Sequence, residues 1–80
     1  MKDNYYIRVI EYSPAQKEAL KRNGFEFIKN YEMVFVTTDV KEWNDTVNWL
    51  KNFERIKINS GGCVNDDYIA YLKGLSDPRD

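Results

Sequence analysis

The sequence predicts one α+β domain, in which helices pack on a four-stranded antiparallel sheet. The chain has 80 residues, of which 42% are hydrophobic, and this is enough for a single small core. Residues 24–38 contain two apolar runs, rich in β-branched and aromatic side chains, around a short polar break. That pattern is typical of a β-hairpin. Helix capping signals lie on both sides of it, so we expect one helix to enter the centre of the sheet and another to leave it.

The chain begins with a predicted strand and a predicted helix. Residues 5–12 alternate with the period of a strand. Ser13 then has the character of a helix N-cap, with Pro14 in the first turn and Gln16 placed to complete a capping box. We expect this helix to end at Gly24, because basic residues precede it and glycine favours the position after a helix.

The hairpin and a second helix follow. The hairpin strands are predicted over residues 25–28 and 33–36. Asp39 is the expected N-cap of the helix, and Glu42 occupies the capping-box position. Trp49 lies beyond the edge of the apolar stripe on this helix, which leaves it outside the predicted core. The stripe consists of Val40, Trp43, Thr46, Val47, Leu50 and Phe53.

The rest of the chain predicts a fourth strand, a break and a third helix. Residues 55–58 alternate as in a strand, and residues 60–62 indicate a break. An acidic first turn at residues 65–67 opens the third helix, which ends at Gly74. We expect its apolar face to dock on the side of the sheet that the other helices leave free. That face consists of Val64, Tyr68, Tyr71, Leu72 and Leu75.

The predicted order is therefore β-α-β-β-α-β-α. Its first six elements match the ferredoxin-like arrangement, in which two helices lie on one face of a four-stranded antiparallel sheet. The third helix is an addition to that arrangement. We expect residues 1–80 to form a single domain with a frayed tail at residues 76–80.

The composition argues against an enzyme and against a metal protein. The chain has no histidine and one cysteine, Cys63, so the usual zinc ligand sets are lacking and no internal disulfide can form. A nucleophilic cysteine needs a base, so a Cys63-dependent enzyme is the most distant alternative. We expect no catalytic, metal-binding or cofactor-binding residue. No apolar run is long enough for a membrane span and no signal peptide is apparent, so we expect a cytoplasmic protein.

The predicted sheet face opposite the first two helices is a candidate for nucleic acid. Aromatic and basic side chains on an open four-stranded sheet resemble the surface of an RNA-recognition motif, which stacks single-stranded bases. The net charge of −1 gives no general attraction to phosphates, so this function is the alternative and not the first choice. The residues that the resemblance implies are Tyr6, Arg8, Phe35, Arg55 and Lys57. On the third strand, either Met33 and Phe35 or Val34 and Val36 are expected to face outward.

The RNP1 pattern of that family is met in part. The matching residues are Lys29, Tyr31 and Val34, and the departures are Asn30, Glu32, Met33 and Val36. The departures remove the glycine, the small residue and two aromatics on which base stacking depends.

As a whole, the chain resembles the small accessory proteins that bacteriophages of AT-rich hosts encode, including anti-CRISPR and other anti-defence inhibitors. The resemblance rests on its size, its lysine-, asparagine- and tyrosine-rich composition and its lack of a catalytic set. It implies a non-enzymatic protein that binds and blocks a host defence protein, whose identity stays open. Aromatic anchors and carboxylates outside the predicted core are the expected contacts. They are Trp49, Tyr31, Tyr12, Asp66, Asp67 and Asp77.

Overall fold

The protein has an α+β fold, as the sequence predicts. A computed structural model describes residues 3–28 and 31–74. Predictions that concern Lys29, Asn30, Leu75, Asp77 and the tail at residues 76–80 fall outside these residues. The elements in chain order are β1 (Asn4–Glu11), α1 (Pro14–Arg22), β2 (Glu26–Phe27), β3 (Met33–Thr37), α2 (Val40–Leu50), β4 (Lys57–Val64) and α3 (Asp66–Gly74).

The strands form one four-stranded sheet in the order β2-β3-β1-β4, and each neighbouring pair is antiparallel. Ile7 of β1 lies opposite Phe35 of β3, and Val9 lies opposite Met33. On its other side, Val9 lies opposite Ile58 of β4. Because alternate residues of a strand point to opposite faces, these five side chains share one face of the sheet.

Helices α1 and α2 cover that face and enclose the larger part of the core. Leu20 of α1 and Leu50 of α2 are fully buried against β1 and β3. The indole Nε1 of Trp43 donates a hydrogen bond to the backbone oxygen of Tyr6 at 3.1 Å, which ties α2 to the central strand. The buried members of this cluster are Ile7, Val9, Leu20, Phe25, Met33 and Leu50.

The opposite face is covered by α3, which confirms the predicted docking of the third helix. Leu72 has no exposed surface, and Ile69 packs beside it. Tyr71 was predicted to share this face, but its side chain is 61% exposed. The buried members of this second cluster are Tyr6, Ile28, Val34 and Leu72.

The predicted N-caps Ser13 and Asp39 are confirmed, but the capping box predicted with Glu42 is wrong, because the backbone N–H of Asp39 donates to Oγ1 of Thr37 at 3.1 Å instead. The Ser13 side chain accepts a hydrogen bond from the backbone N–H of Gln16, and the Gln16 side chain accepts one from the N–H of Ser13, so the capping box is complete. The carboxylate of Asp39 accepts hydrogen bonds from the N–H groups of Lys41 and Glu42 at the start of α2. These local contacts stabilise helix starts that the sequence pattern already indicates.

The hairpin is shorter on one side than predicted. Strand β2 contains only Glu26–Phe27. The ring of Phe25, just before it, stacks on that of Phe35 with ring centroids 5.2 Å apart. The backbone N–H of Ile28 donates to the oxygen of Glu32 at 2.7 Å and closes the loop.

The prediction of a break at residues 60–62 is wrong, because β4 runs through Gly61 and Gly62 to Val64. An ideal Cβ on Gly61 would lie 2.7 Å from Cε1 of Tyr6, and one on Gly62 would lie 2.6 Å from Cδ2 of Tyr5. The two tyrosine rings therefore lie directly on the glycines, on opposite faces of the sheet. They cover one face of each glycine, where no side chain of the glycine itself can lie.

Candidate functional site

The proposed RNA-binding face is not an open surface. Tyr6 does lie on the face opposite α1 and α2, but it is only 9% exposed because α3 covers it. Its ring centroid lies 5.4 Å from that of Tyr68, and the two hydroxyl oxygens are 3.5 Å apart. This contact and burial raise the pKa of Tyr6 above the usual 10.0 of tyrosine. A base has no room to stack on this ring.

The other residues of the RNA prediction do not gather around Tyr6. The Nε of Arg8 lies 2.5 Å from Oε1 of Glu32, so this cation is already paired and half-buried. Phe35 lies on the α1 and α2 face, so of the two alternatives for the third strand it is Val34 and Val36 that face outward, and the assignment of Phe35 to the RNA-binding face is wrong. Arg55 precedes β4 in an exposed bend instead of standing on the sheet, and Lys57 is exposed at the first position of β4.

Tyr31 stands at the tip of the β2–β3 hairpin and is the most exposed of the large hydrophobic side chains, at 83%. Its backbone has a positive φ of 64°, which a bulky residue rarely adopts. The Tyr12 hydroxyl donates a hydrogen bond to the Tyr31 backbone oxygen. The next residue, Glu32, is held by Arg8 and by the N–H of Ile28. The ring is therefore exposed while its backbone is fixed from two sides.

A shallow cavity of 440 Å³ lies beside Tyr31, and we call it the Tyr31 hollow. Tyr12 forms part of its wall. The prediction that Tyr12 lies outside the core is wrong, because its ring is half-buried and packs against the larger core cluster. Burial raises the pKa of Tyr12 above the usual value. The hollow is lined by Ile10, Glu11, Tyr12, Pro14, Lys17 and Tyr31.

Trp49 is also more deeply placed than predicted. Its ring packs against the larger core cluster and meets Phe53 edge-on, with centroids 4.8 Å apart. The apolar stripe of α2 is wider at its end and includes Trp49. Phe53, which follows the helix, packs against the same core cluster. Trp49 also borders a polar hollow of 360 Å³ on α2, so part of its ring remains accessible. Truncating it removes core packing as well as any partner contact.

Of the two acidic residues at the start of α3, Asp66 makes a structural hydrogen bond and Asp67 does not. Oδ1 of Asp66 accepts a hydrogen bond from the buried Asn4 side chain at 2.7 Å. The Asn65 side chain accepts one from the N–H of Tyr68 at 2.9 Å and caps the helix. Asp67 is exposed. Of the predicted contact carboxylates that the structure describes, it is the one still able to face a partner. Asp77 lies outside the described residues.

Cys63 is the next-to-last residue of β4, with a positive φ of 58°, and it is exposed. It borders a cavity of 560 Å³ together with Asp3, Asp66 and Asp67. Burial, followed by the nearby Cys63 thiol and the Asp3 carboxylate, raises the pKa of Tyr5. Within residues 3–28 and 31–74, no cluster of three or more histidine, cysteine or acidic side chains is arranged to hold a metal ion.

The surroundings of Phe27 were not predicted from the sequence. The ammonium groups of Lys17 and Lys21 lie 5.7 Å and 5.6 Å from the centre of its ring. These are cation–π contacts at the exposed edge of the sheet. The four-residue spacing of the two lysines places them on one side of α1, and this could have been predicted from the sequence. Their contact with β2 could not, because it depends on how the helix packs.

Comparison with protein-family models, with curated proteins and with solved structures finds no match to this chain. Among the described elements, no helix combines the length and the apolar character that crossing a membrane requires.

Proposed function

We propose that the protein is a non-enzymatic binding module that attaches to a larger host protein and blocks it, in the manner of phage-encoded anti-defence inhibitors. The observation that carries this proposal is Tyr31, an 83% exposed aromatic ring on a backbone held in a strained conformation. Strained, over-determined backbone at an exposed position is characteristic of ligand-contacting sites.

The geometry suits a protein partner for an energetic reason. Tyrosine supplies a large amphipathic contact area and has few rotatable bonds to immobilise, so it is a frequent interface hot spot. The contacts from Tyr12 and from Arg8 to the hairpin tip hold the backbone before any partner arrives. Part of the ordering entropy of binding is thus already lost in the free protein.

The Tyr31 hollow adds a recess next to this projecting ring. Its walls include the apolar surfaces of Ile10, Tyr12 and Pro14. A side chain of the partner can enter the hollow while Tyr31 enters a pocket on the partner. The two surfaces then interlock, as in the well-packed centres of protein interfaces.

RNA binding has less support from the geometry. Tyr6 lies beneath α3, Phe35 lies on the other face and Arg8 is paired with Glu32. A base-stacking surface needs exposed aromatic rings beside free cations.

We also propose that the fold is of the ferredoxin-like type with a C-terminal helix. The strand order β2-β3-β1-β4 supports this, together with α1 and α2 as crossovers on one face. The non-enzymatic part of the proposal is supported by the lack of histidine in the chain, since Cys63 then has no imidazole base.

We expect Tyr31→Asn to weaken the complex by about 2 kcal/mol, roughly thirtyfold in Kd, if Tyr31 is the anchor. Asparagine removes the ring but tolerates the left-handed backbone, so the hairpin tip is retained. The measurement is affinity capture from a bacterial host extract with quantitative mass spectrometry, followed by titration of the captured protein.

The matched control is Tyr71→Ala, which removes another exposed tyrosine, on α3 and away from the hairpin. It should leave the affinity within a few-fold, and urea unfolding should show that both variants are folded. Equal capture by wild type and Tyr31→Asn would contradict the assignment of the anchor. Single-stranded RNA binding that persists at physiological salt, without any captured protein, would overturn the proposed function.

A further inference from the structure

Two lysines converge on one partly exposed aromatic ring at the β2 edge of the sheet. Phe27 lies opposite Met33, on the side of the sheet that α1 and α2 cover, and it is 39% exposed. The ammonium groups of Lys17 and Lys21 lie over its ring, 5.7 Å and 5.6 Å from the centroid. We call Lys17 and Lys21 the lysine pair, because one ring holds both of their charges close together.

The charge of the lysine pair is not neutralised within the protein. Among residues 3–28 and 31–74, no carboxylate lies within ion-pair distance of either ammonium group. Lys17 is also half-buried, so water and salt screen its charge less than that of a fully exposed lysine. The two residues are four positions apart on α1, a spacing at which like charges repel each other.

The carboxylates around the lysine pair, in the Tyr31 hollow, on α1 and on β2, each have another cation. One lies directly opposite a lysine in the sheet register, and one is ion-paired at 3.5 Å. The third precedes an arginine by four positions on α1, a spacing at which opposite charges attract. These carboxylates and their cations are Glu11 with Lys57, Glu26 with Lys73 and Glu18 with Arg22. The lysine pair is therefore left to attract an anion from outside.

The lysine pair adjoins the Tyr31 hollow. Lys17 belongs to both, because it lines the hollow and also lies over Phe27. The walls of the hollow include the apolar side chains of Ile10 and Pro14. An apolar recess and two cations without a counter-charge thus lie side by side on the surface that carries Tyr31.

We propose that the lysine pair receives a carboxylate of the partner protein, from a segment in which an acidic residue stands next to an apolar one. The carboxylate lies between the ammonium groups of Lys17 and Lys21, and the apolar side chain enters the Tyr31 hollow. This inference rests on the proposed function, since it names the chemistry of the partner at that site. Each ammonium group donates hydrogen bonds that a carboxylate oxygen accepts, and opposite charges across an interface fix how the partner is oriented.

A nucleic acid fits this surface less well than an acidic protein segment does. Two phosphate contacts give a log–log salt dependence of only about −1.4 for a single strand, which corresponds to weak binding. The Phe27 ring is already covered by the two ammonium groups, so a base must displace them before it stacks. A single carboxylate needs only the two ammonium groups that are present.

A peptide titration tests the carboxylate site without knowledge of the partner. The probe is the blocked tripeptide acetyl-Leu-Glu-Leu-amide, and its uncharged match is acetyl-Leu-Gln-Leu-amide. Nuclear magnetic resonance follows the Hε signals of the lysine pair and the ring signals of Phe27 and Tyr31. We expect the glutamate peptide to bind about three- to tenfold more tightly than the glutamine peptide at low salt. This preference should decrease as salt is added, because exposed charges are screened.

Two double variants show whether the preference comes from the lysine pair. Lys17→Met with Lys21→Met removes both charges but keeps long, unbranched side chains over Phe27. This variant should bind the two peptides equally. The matched control, Lys41→Met with Lys51→Met, removes the same charge from exposed positions on α2 and at its end. It should keep the preference for the glutamate peptide, and urea unfolding should show that both double variants are folded.

Three outcomes would overturn the assignment. The first is equal binding of the two peptides to wild type. The second is a loss of preference in the α2 control as large as that in the variant of the lysine pair. The third is single-stranded oligouridine that shifts the same signals at physiological salt with higher affinity than the glutamate peptide, which would make the surface a nucleic-acid site.

The inference and the proposed function fail in different ways. Suppose that the host protein captured by wild type is lost with Tyr31→Asn but is bound at full affinity by the variant of the lysine pair. The lysine pair then does not contact the partner, and only the inference fails. If wild type captures no protein, the proposed function fails, and the preference for the glutamate peptide alone decides whether the carboxylate site stands.

Discussion

The two faces of the sheet are built from different amounts and kinds of core. Among residues 3–28 and 31–74, the face under α1 and α2 encloses six buried apolar residues and is closed by Trp43, Val47 and Phe53. The face under α3 encloses four of the described residues, one of which is Tyr6 with a polar hydroxyl. The nine-residue α3 is the one described helix on this second face, and the Arg8–Glu32 ion pair lies there too. In the described part of the chain the α3 face is therefore the thinner layer, which is expected to open at lower free energy.

The largest effect should distinguish the two layers directly. Leu50 and Leu72 are both fully buried, one under each face. We expect Leu50→Ala to reduce the free energy of unfolding by about 4 kcal/mol and Leu72→Ala by about 2–3 kcal/mol. We expect the smaller loss at Leu72 because fewer buried apolar side chains surround it among the described residues than surround Leu50. Urea unfolding followed by circular dichroism measures both, and an equal or larger loss for Leu72→Ala would contradict the comparison.

The adjacent glycines of β4 test the same two faces by adding atoms instead of removing them. Gly61→Ala brings a methyl group against Tyr6, which is confined beneath α3, and we expect it to destabilise by about 2 kcal/mol. Gly62→Ala meets Tyr5, which is only half-buried and rests on Trp43 with ring centroids 5.3 Å apart. That ring can shift, so the loss should be smaller.

The same urea titrations decide this prediction. A Gly61→Ala variant more stable than wild type would mean that the Tyr6 ring moves freely. The reduced entropy of the unfolded chain, which favours alanine over glycine, would then dominate. The α3 layer would in that case be looser than its packing indicates.

The smallest effect concerns alkaline pH. The Tyr68 hydroxyl and burial hold the pKa of Tyr6 above the usual 10.0, so the folded protein binds this proton more tightly than the unfolded chain does. The resulting stabilisation is fully present below pH 10.0 and is lost as the pH rises from there through the folded pKa.

Tyr68→Phe removes the largest cause of that shift. We therefore expect a shallower loss of stability above pH 10 in this variant than in wild type, measured as the urea midpoint against pH. Tyr12 lies on the other face with its pKa raised by burial, so part of the alkaline loss should remain. An unchanged pH dependence would show that the Tyr6–Tyr68 contact does not persist in solution.

The features that sequence reasoning recovered depend on neighbours along the chain. The capping box of Ser13 and Gln16 and the Asp39 cap arise from contacts within three residues. The order of elements was predictable because it follows from the local periodicity of apolar residues. The docking of α3 was also predictable, because a one-sided apolar helix must bury that side. Tyr31 was identified as a contact residue from its position in a polar loop.

Tertiary structure decided the features that depend on distant residues. Strand β4 passes through Gly61 and Gly62 because the rings of Tyr5 and Tyr6, near the start of the chain, lie on them. Phe35 faces α1 and α2 because its pairing with Ile7 sets which side of β3 points inward.

The candidate site follows the same division. The sequence by itself determined that an exposed tyrosine follows β2, since polar neighbours and a hairpin pattern surround it. Only the fold decided that the backbone beneath this ring is held in place, through Tyr12 at 19 positions from Tyr31 and through Arg8 at 24 positions from Glu32. Contacts across such separations depend on strand register and helix packing. These are properties of the whole chain, so they cannot be predicted from residues that are neighbours in sequence.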